Sequence, residues 1–369
     1  MSPPPGRPKE GSLPLGGTAR SAKGALVDTP SDAPAPITVD ASRPLVVEAG
    51  SSRTLKSVWL AVLAVFLVLP WLGLGEYPLH LVIIALIWSY IYTSWAIMGR
   101  LGMVSFGHGA FMGIGAYSVV LLWNGYGLTP WIGAVVGIAL SLLVALVIGY
   151  PCFRFRIIGH YFAIVTLALS EVVRLVIVAL RDYTGGSLGI TPKSGLADGA
   201  TVSLYAMQFS DKTVWFYIAL AVWLLGLVLW KLADQHPSRR ALQAISEDED
   251  AAASIGIPVA RTKLGVTLLS AGMTALGGVV YAQYQLYVNP DTVSGLAISL
   301  QLVFGAIAGG MFVRLGPTVG AMFLLALSET LRVLIGNEYH GVDMTVYGAL
   351  LILFIIFMPK GILGTVLGR

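Results

Sequence analysis

The 369-residue chain has a single cysteine, Cys152, and its five histidines are scattered without the spacing of metal ligands. One cysteine excludes an intrachain disulfide and a cysteine-based metal site. The sequence also lacks a G-x-x-x-x-G-K-[ST] phosphate-binding loop, so the chain alone does not hydrolyse ATP in the P-loop manner. We therefore predict no catalytic residues, no bound metal and no cofactor in this chain.

Charge is scarce as well. Charged residues make up 11% of the chain, against about a quarter in ordinary soluble domains, while hydrophobic residues make up 56%. The mean hydropathy is +0.80. Several apolar runs reach the roughly 20 residues that a helix needs to cross a bilayer. These features predict an all-α polytopic membrane protein surrounded by lipid. The net charge of +4 comes from loops and ends and does not indicate nucleic-acid binding.

The chain divides into a tail and a transmembrane domain. Residues 1–52 are rich in Pro, Gly, Ser and Ala without apolar periodicity, which predicts a disordered cytoplasmic tail. This tail contains no apolar core of the kind found in secretory signal peptides. Residues 53–369 form the predicted transmembrane domain.

Hydropathy predicts about ten spans in this domain, some of them short or broken. They are Val58–Leu74, Tyr77–Met98, Ala110–Trp123, Trp131–Tyr150 (ended by Pro151), Ile157–Leu180, Val214–Leu232, Leu264–Tyr287, Leu300–Phe312, Thr318–Ile335 and Val346–Met358. With ten spans and the N-terminus inside, basic residues concentrate on the cytoplasmic side, and Arg181, Lys193 and Lys212 fall in outer loops. Both termini are then cytoplasmic.

A polar stretch, Pro237–Lys263, separates two long apolar runs and is rich in helix formers. Ser246 and Glu249 match the S-x-x-E capping box that starts a helix. Gly256 is placed to end that helix. The stretch therefore predicts a hairpin of two short helices outside the bilayer. The alternative is a solvated connector whose charges only keep it in water.

Two spans contain the similar segments LSEVVRLVI and LSETLRVLI. In each, a Glu and an Arg three residues apart share one helix face: Glu171 with Arg174, and Glu329 with Arg332. A charge inside a membrane helix is costly, so these groups should form ion pairs. The repeat favours an internal duplication over coincidence. We interpret the pairs as structural ion pairs that hold the helices together. A neighbouring Arg keeps the carboxylate ionised, which does not suit a proton relay.

The hairpin carries Asp250-Ala251-Ala252, three further residues and Gly256, which resembles the EAA-x-x-x-G signature of ABC-importer permeases with Asp250 where Glu is usual. Three other blocks occur in the order expected of the M-type permeases of branched-chain amino-acid importers. They are GRLGMVSFGHGAFMGIGAY, FRFRIIGHYFAIVTLALSEVVRLVIVALRDYTGGSLGI and FMPKGILG. The chain resembles this family from about residue 80 onward.

This resemblance implies an inner-membrane permease subunit for branched-chain or related amino acids. Its implied partners are a second permease, two ATPase subunits that hold ATP and Mg, and an external substrate-binding protein. The same family includes permeases for urea and short amides, and an ion-coupled secondary transporter is a further alternative. Coupling to the ATPases would use the hairpin residues Arg239, Arg240, Glu247, Asp248, Glu249, Asp250, Ala251, Ala252 and Gly256.

The translocation path is predicted along the glycine-rich segment Gly102–Gly115 and along the eighth span, broken around Gly305, Gly309 and Gly310, because small residues allow close approach or a break in a helix. The proposed path residues are Gly102, Ser105, Gly107, His108, Gly109, Gly305, Gly309 and Gly310. The alternative for each glycine is that it only permits tight helix packing.

Overall fold

The computed structural model describes residues 66–335, apart from 74, 158, 197–200 and 237, together with 345, 346, 348, 349, 352, 356, 357 and 361–366. The predicted tail, much of the first and tenth spans, and the last three residues lie outside the described residues. Residues Leu60–Arg369 belong to one compact unit.

Helices dominate the described residues. They are α1 (Glu76–Gly99), α2 (His108–Tyr126), α3 (Pro130–Arg154), α4 (His160–Ala179), α5 (Arg181–Thr184), α6 (Lys212–Gln235), α7 (Ser238–Glu247), α8 (Glu249–Ser254), α9 (Val259–Gln285), α10 (Pro290–Val293), α11 (Gly295–Gly309), α12 (Gly316–Ile335) and α13 (Gly361–Val366). Short 3-10 helices cover Leu69–Leu72 and Gly186–Leu188.

Six segments of the described residues are long and apolar enough to cross a membrane: α1, α3, α4, α6, α9 and the joined α10–α11 segment. The shorter α12 is apolar over Gly316–Leu331. The helical, multi-span class predicted from the sequence is therefore confirmed, while the count of about ten spans stays a prediction.

Two ion pairs mark the two ends of the bundle. At one end Lys212 Nζ lies 3.1 Å from Glu76 Oε2, which joins the starts of α6 and α1. At the other, Arg100 lies 2.7 Å from Asp234 Oδ1, next to the ends of the same two helices. Helices α7 and α8 follow directly after α6, so they lie at the Arg100 end, which we call the hairpin end.

The segment Arg181–Lys212, whose basic residues were predicted to lie in outer loops, covers the opposite end and contains regular structure. It contains an antiparallel pair of two-residue strands, β1 (Val202–Ser203) and β2 (Gln208–Phe209). Lys193 Nζ donates to the Asn124 carbonyl at the end of α2, at 2.7 Å. Lys193 and Lys212 therefore lie at the end away from the hairpin.

Pro151 does not end the fourth span as predicted, since α3 continues to Arg154. Proline removes one backbone donor and disfavours a helix interior. Here the following residues, Cys152 and Phe153, are each 4% exposed, and their burial keeps the last turn helical.

The helix of the eighth span stops at Gly309 and Gly310, within the predicted glycine region, and a further interruption precedes the span. This interruption falls at Ser294 and Gly295, between α10 and α11, where Gly295 has φ +85°. Gly305 and Gly309 lie inside α11, which ends at Gly310 with φ +107°. A glycine inside a helix costs only about 1 kcal/mol, and packing of Gly305 on the Tyr92 ring offsets that cost.

Candidate functional site

The hairpin has one buried face. Leu242 and Ile245 on α7 are 4% and 6% exposed, and Ala252 on α8 is 2% exposed. The spacing of Leu242 and Ile245 puts both on one side of the helix. Leu242 belongs to a buried cluster with Met98, Met103, Cys152, Phe153 and Phe162. The hairpin is therefore packed onto the ends of the spans.

The start of α8 differs from the predicted capping box. Asp248 is the N-cap residue, and its carboxylate accepts hydrogen bonds of 2.9 Å from the backbone N–H groups of Asp250 and Ala251. Ser246 instead donates to the Gln243 carbonyl within α7, at 2.8 Å. Asp248 takes the role because its extended backbone brings its carboxylate to the free N–H groups.

The predicted end of α8 is confirmed. The helix stops at Ser254, and Gly256 has φ +89°, in the left-handed region that favours glycine. The Ile257 N–H then donates to the Ala252 carbonyl, at 3.2 Å.

Two ion pairs join the hairpin to the rest of the bundle. Lys263 Nζ lies 2.5 Å from Glu249 Oε2, and the two side chains are only 9% and 16% exposed. Arg156 pairs with Asp250 at 2.6 Å, but these side chains are 65% and 80% exposed. The buried pair fixes α8 to the start of α9, and the exposed pair connects it to the residues after α3.

The predicted coupling residues differ in their exposure to solvent. Glu249 is mostly buried and Ala252 is buried. The exposed members are Arg239, Arg240, Glu247, Asp248, Asp250, Ala251 and Gly256. Ile255, which the sequence analysis left out, is 77% exposed beside them. The outer face of the hairpin thus combines acids with one prominent apolar side chain.

A second charged group lies where α1 and α6 end. The Arg100 guanidinium lies 4.0 Å from the centroid of the Trp230 ring and pairs with Asp234. Arg239 approaches the same carboxylate at 3.6 Å. Burial lowers the pKa of Arg100 from its usual value and outweighs the opposing effect of Asp234. Arginine nevertheless stays protonated in proteins, so the group remains a cation.

The predicted path segment begins in the turn before α2. Gly102 is exposed beside Ser246 of the hairpin. Ser105 is 2% exposed, and its Oγ accepts from the Gly107 N–H at 3.1 Å. The Trp95 indole N–H donates to the Ser105 carbonyl at 2.8 Å. The turn is therefore held tightly against α1.

His108, the first residue of α2, is 1% exposed. Its Nε2 lies 2.7 Å from Ser270 Oγ on α9, and Ser270 donates its only proton to the Ser94 carbonyl on α1. The hydrogen-bond network therefore assigns the proton of His108 to Nε2. These contacts tie α1, α2 and α9 together.

Gly109 connects α2 to the broken helix. Its N–H donates to Ser299 Oγ at 3.1 Å, and Ser170 of α4 donates to the Gly295 carbonyl at 3.0 Å. A Cβ at Gly109 would lie 2.6 Å from that same carbonyl oxygen. In this conformation, then, the space beside Gly109 is filled.

The Glu171–Arg174 pair forms within α4, with Arg174 Nε 2.9 Å from Glu171 Oε2. It also reaches the broken helix, because Glu171 Oε1 accepts a hydrogen bond of 2.7 Å from the Leu296 N–H. Arg174 approaches Asp291 of α10 at 3.3 Å. The pair thus holds both sides of the break at Ser294 and Gly295.

The second predicted pair is described only in part. Glu329 accepts a hydrogen bond of 2.6 Å from the Tyr77 hydroxyl, which links α12 to the start of α1. The side chain of Arg332 lies outside the described residues, so the Glu329–Arg332 pair stays a prediction.

The other predicted path glycines pack against neighbouring backbone. Gly309 faces Gly316 and Gly320 of α12, and Gly310 faces Gly361. Beside them, a cavity of about 520 Å³ opens among α1, α11 and α12. Its lining includes Trp88, Tyr92, Tyr281, Gln301, Phe304 and Leu324. Gln301 Nε2 donates to the Tyr92 hydroxyl at 3.3 Å. Asp291, Thr292 and Ser328 are the other polar residues of the lining, so the cavity combines a mostly apolar and aromatic surface with a few polar groups.

Several of these residues carry no signal in the sequence. Ser170, Ser270 and Ser299 are isolated serines in apolar helices, and only helix packing brings Ser170 beside Ser299 and Ser270 beside His108. Lys263 could have been found, because a lysine at a helix start close in sequence to four acids suggests an ion pair.

Apolar helices of spanning length, joined by buried polar contacts, define a polytopic helical membrane protein. Residues 78–355 match the model of the family described as branched-chain amino acid transport system / permease component. The chain belongs to this family.

The chain is 30% identical over 284 residues to the high-affinity branched-chain amino acid transport system permease protein LivM of Escherichia coli (strain K12), covering 72% of this chain and 65% of the relative. It is 25% identical over 283 residues to the high-affinity branched-chain amino acid transport system permease protein LivH of Salmonella typhimurium. This match covers 73% of the present chain and 88% of LivH. The chain is also 29% identical over 231 residues to the L-arabinose transport system permease protein AraH of Escherichia coli. This match covers 62% of the present chain and 66% of AraH. The chain thus spans 65% of the length of the LivM relatives that it matches. No solved structure matches the chain.

Proposed function

We propose that the chain is the permease subunit of an ATP-driven importer for branched-chain or related amino acids, located in the inner membrane with both termini cytoplasmic. The observation that carries the proposal is the family match over residues 78–355. It is supported by relatives named as permease proteins of high-affinity branched-chain amino acid transport systems. The residues 1–52 form a cytoplasmic tail in this proposal.

The proposed assembly has a second permease, two ATPase subunits and an external binding protein. Similarity to both LivM and LivH, two permease proteins with different names, supports a pair of related permeases. ATP and Mg are held by the ATPase subunits. The present chain supplies membrane helices and no nucleotide site.

The proposed contact with an ATPase is the outer face of the hairpin. Glu247, Asp248 and Asp250 give it negative charge, and Ile255 gives it an exposed apolar group. Arg239 and Arg240 flank this face, while Gly256 leaves open space beside it. The buried face stays with the bundle, so a partner that moves the outer face moves the whole hairpin.

A chain of contacts runs from the hairpin to the membrane helices. Glu249 binds Lys263 at the start of α9, and α9 binds His108 of α2 through Ser270. From α2, Gly109 reaches Ser299 of the broken helix. We propose that movement of the hairpin is transmitted along these contacts to the membrane helices, because rigid helices joined by hydrogen bonds can carry a displacement from one end of the bundle to another site.

The proposed path has a moving part, the segment Gly102–Gly109 that leads from the turn into α2, and an open part, the cavity at Gln301. The packed glycines Gly305, Gly309 and Gly310 form the wall between α11 and α12. An apolar and aromatic lining with few polar groups suits a branched aliphatic side chain. In this proposal the chain contributes half of the path and the partner permease the other half.

The test is uptake of radiolabelled leucine by proteoliposomes that contain the chain with its partner permease, both ATPases and the binding protein. We expect uptake that needs ATP inside the vesicles and is competed by isoleucine and valine. Competition by urea or acetamide alone would favour the amide-transporting branch. Uptake that follows an ion gradient without ATP would overturn the proposal in favour of a secondary transporter.

A further inference from the structure

A groove lies at the hairpin end between α6, α7 and α9. Its upper part has a volume of about 350 Å³ and is lined by Arg100, Arg239 and Arg261 together with Leu229, Val266 and Leu269. Arg100 and Arg239 share one carboxylate, Asp234, and Arg261 adds a third guanidinium group, so the mouth of the groove carries net positive charge. In the described part of the chain, Arg261 has no carboxylate partner.

The groove continues toward the middle of the spans. A second space of about 340 Å³ shares Leu229 and Leu269 with the first. Its walls are otherwise mostly aliphatic and include Leu225, Leu268 and Leu276. From Arg261 to Leu276 the helix rises about 22 Å, more than the roughly 15 Å depth of one hydrocarbon leaflet. The charge is therefore confined to one end of a long apolar channel.

Glycines keep the groove open along α9. Gly265 is exposed, and a Cβ built there would meet no atom within 4 Å. At Gly272, the nearest atom to such a Cβ is Leu142 Cδ2 at 3.4 Å. The two glycines are seven residues apart and so lie on one face of the helix.

From these observations we infer that the groove binds an anionic phospholipid, with its phosphate among Arg100, Arg239 and Arg261 and one acyl chain along Leu229 and Leu269. Guanidinium groups bind phosphate oxygens through paired N–H donors. A basic pocket between membrane helices, near the membrane surface, is the setting in which anionic headgroups are bound. A helix of the partner permease would match the apolar channel but would leave the arginines without counter-charge.

The test uses the purified full-length chain in mild detergent, incubated with dioleoylphosphatidylglycerol or dioleoylphosphatidylcholine and examined by native mass spectrometry. We expect one phosphatidylglycerol retained per chain at concentrations where phosphatidylcholine is not. Arg261→Gln should weaken retention about fivefold, as expected for one basic group at a lipid surface. Gly265→Phe should displace the lipid while leaving every charge in place.

Arg154→Gln is the matched control, because Arg154 is exposed at the end of α3 and does not line the groove. Equal losses for Arg154→Gln and Arg261→Gln would mean general attraction and would overturn the inference. Equal retention of the two lipids would overturn it as well. Binding is measured without transport, so its failure is distinct from failure of the proposed function.

Crosslinking tests the position. A phosphatidylglycerol with a diazirine in its acyl chain should label peptides that contain Leu229 and Leu269. It should do so in both the isolated chain and the assembled transporter. Labelling confined to other helices would overturn the inference. Labelling that disappears on assembly would assign the groove to the partner permease instead.

Discussion

Lys263 and Glu249 form an ion pair in which both side chains are more than four-fifths buried, and this pair fastens α8 to α9. Removing one partner of a buried pair leaves an uncompensated charge, which typically costs about 3 kcal/mol or more. We expect Glu249→Gln to lower the thermal unfolding temperature clearly. The double variant Glu249→Gln with Lys263→Met should recover much of the loss. Unfolding followed by fluorescence-detected size-exclusion chromatography measures both effects.

Asp250→Asn is the control for this prediction. Asp250 pairs with Arg156, but both side chains are largely exposed, and exposed pairs contribute about 1 kcal/mol or less. If Asp250→Asn proved as damaging as Glu249→Gln, burial of the Lys263 pair would not be what stabilises the hairpin.

A second prediction concerns Gly256. We expect Gly256→Trp to uncouple ATP hydrolysis from uptake while membrane insertion persists, because the new side chain would occupy the proposed contact with the ATPase. ATPase activity and uptake are measured in the same proteoliposomes.

The effect of backbone strain must be separated from the effect of side-chain size at this position, since φ at Gly256 is +89°. Gly256→Ala carries the strain with little volume, and we expect it to reduce stability by about 1–2 kcal/mol while coupling is kept. Normal coupling in Gly256→Trp would show that this face of the hairpin makes no essential contact.

The third prediction is that Glu171→Gln destabilises the protein and leaves the pH dependence of transport unchanged. Glu171 holds Arg174 and the Leu296 N–H, and hydrogen bonds of charged groups contribute about 1.5–3 kcal/mol. The side chains of Glu171 and Arg174 are about one-third exposed, so we expect a loss of stability near the lower end of this range. Glu329→Gln should behave alike through its bond with Tyr77. A shifted pH profile with intact stability would instead identify a proton carrier.

The fourth prediction uses single cysteines in a Cys152→Ser background to test the path. Ser105→Cys preserves size, and we expect it to be unreactive toward small thiol reagents in the packed conformation and reactive when an ATP analogue is added. Gln301→Cys should react in both states, because Gln301 lines the cavity. Gly109→Cys is expected to disturb packing, since its Cβ would meet the Gly295 carbonyl. Inaccessibility of Ser105→Cys and Gln301→Cys in every nucleotide state would place the path elsewhere.

The class of fold could be predicted from the sequence because a membrane span is recognised from a run of consecutive apolar residues, without knowledge of which helices are neighbours. The sequence also predicted the short helices of the hairpin, since alanines and Gly256 act on their nearest neighbours. It predicted the interruption near Gly309 and Gly310 but missed the one at Ser294 and Gly295, because Gly305 and Gly295 look alike in sequence. Only the ring of Tyr92 beside one and the left-handed φ of the other distinguish them.

The polar contacts between helices could not be predicted. His108 reads as a lone histidine until Ser270 is brought beside it from 162 residues away. Likewise, the pair Glu171–Arg174 follows from spacing alone, but its bond to Leu296 depends on a broken helix 125 residues further along. Contacts of this kind depend on which helices are neighbours, and hydropathy does not contain that information.

The buried face of the hairpin has a consequence for engineering. Leu242 packs among Met98, Met103, Phe153 and Phe162, which come from three separate parts of the chain. Exchanging residues 238–256 with those of another permease would therefore transplant the proposed partner surface but also replace the apolar side chains that pack onto the host's spans. Chimeras that aim to redirect a permease to foreign ATPases should retain Leu242, Ile245 and Ala252 from the host and exchange only the exposed side chains. A hairpin grafted whole would not match the host residues beneath it and should lose the rigid attachment that the proposed transmission of movement requires.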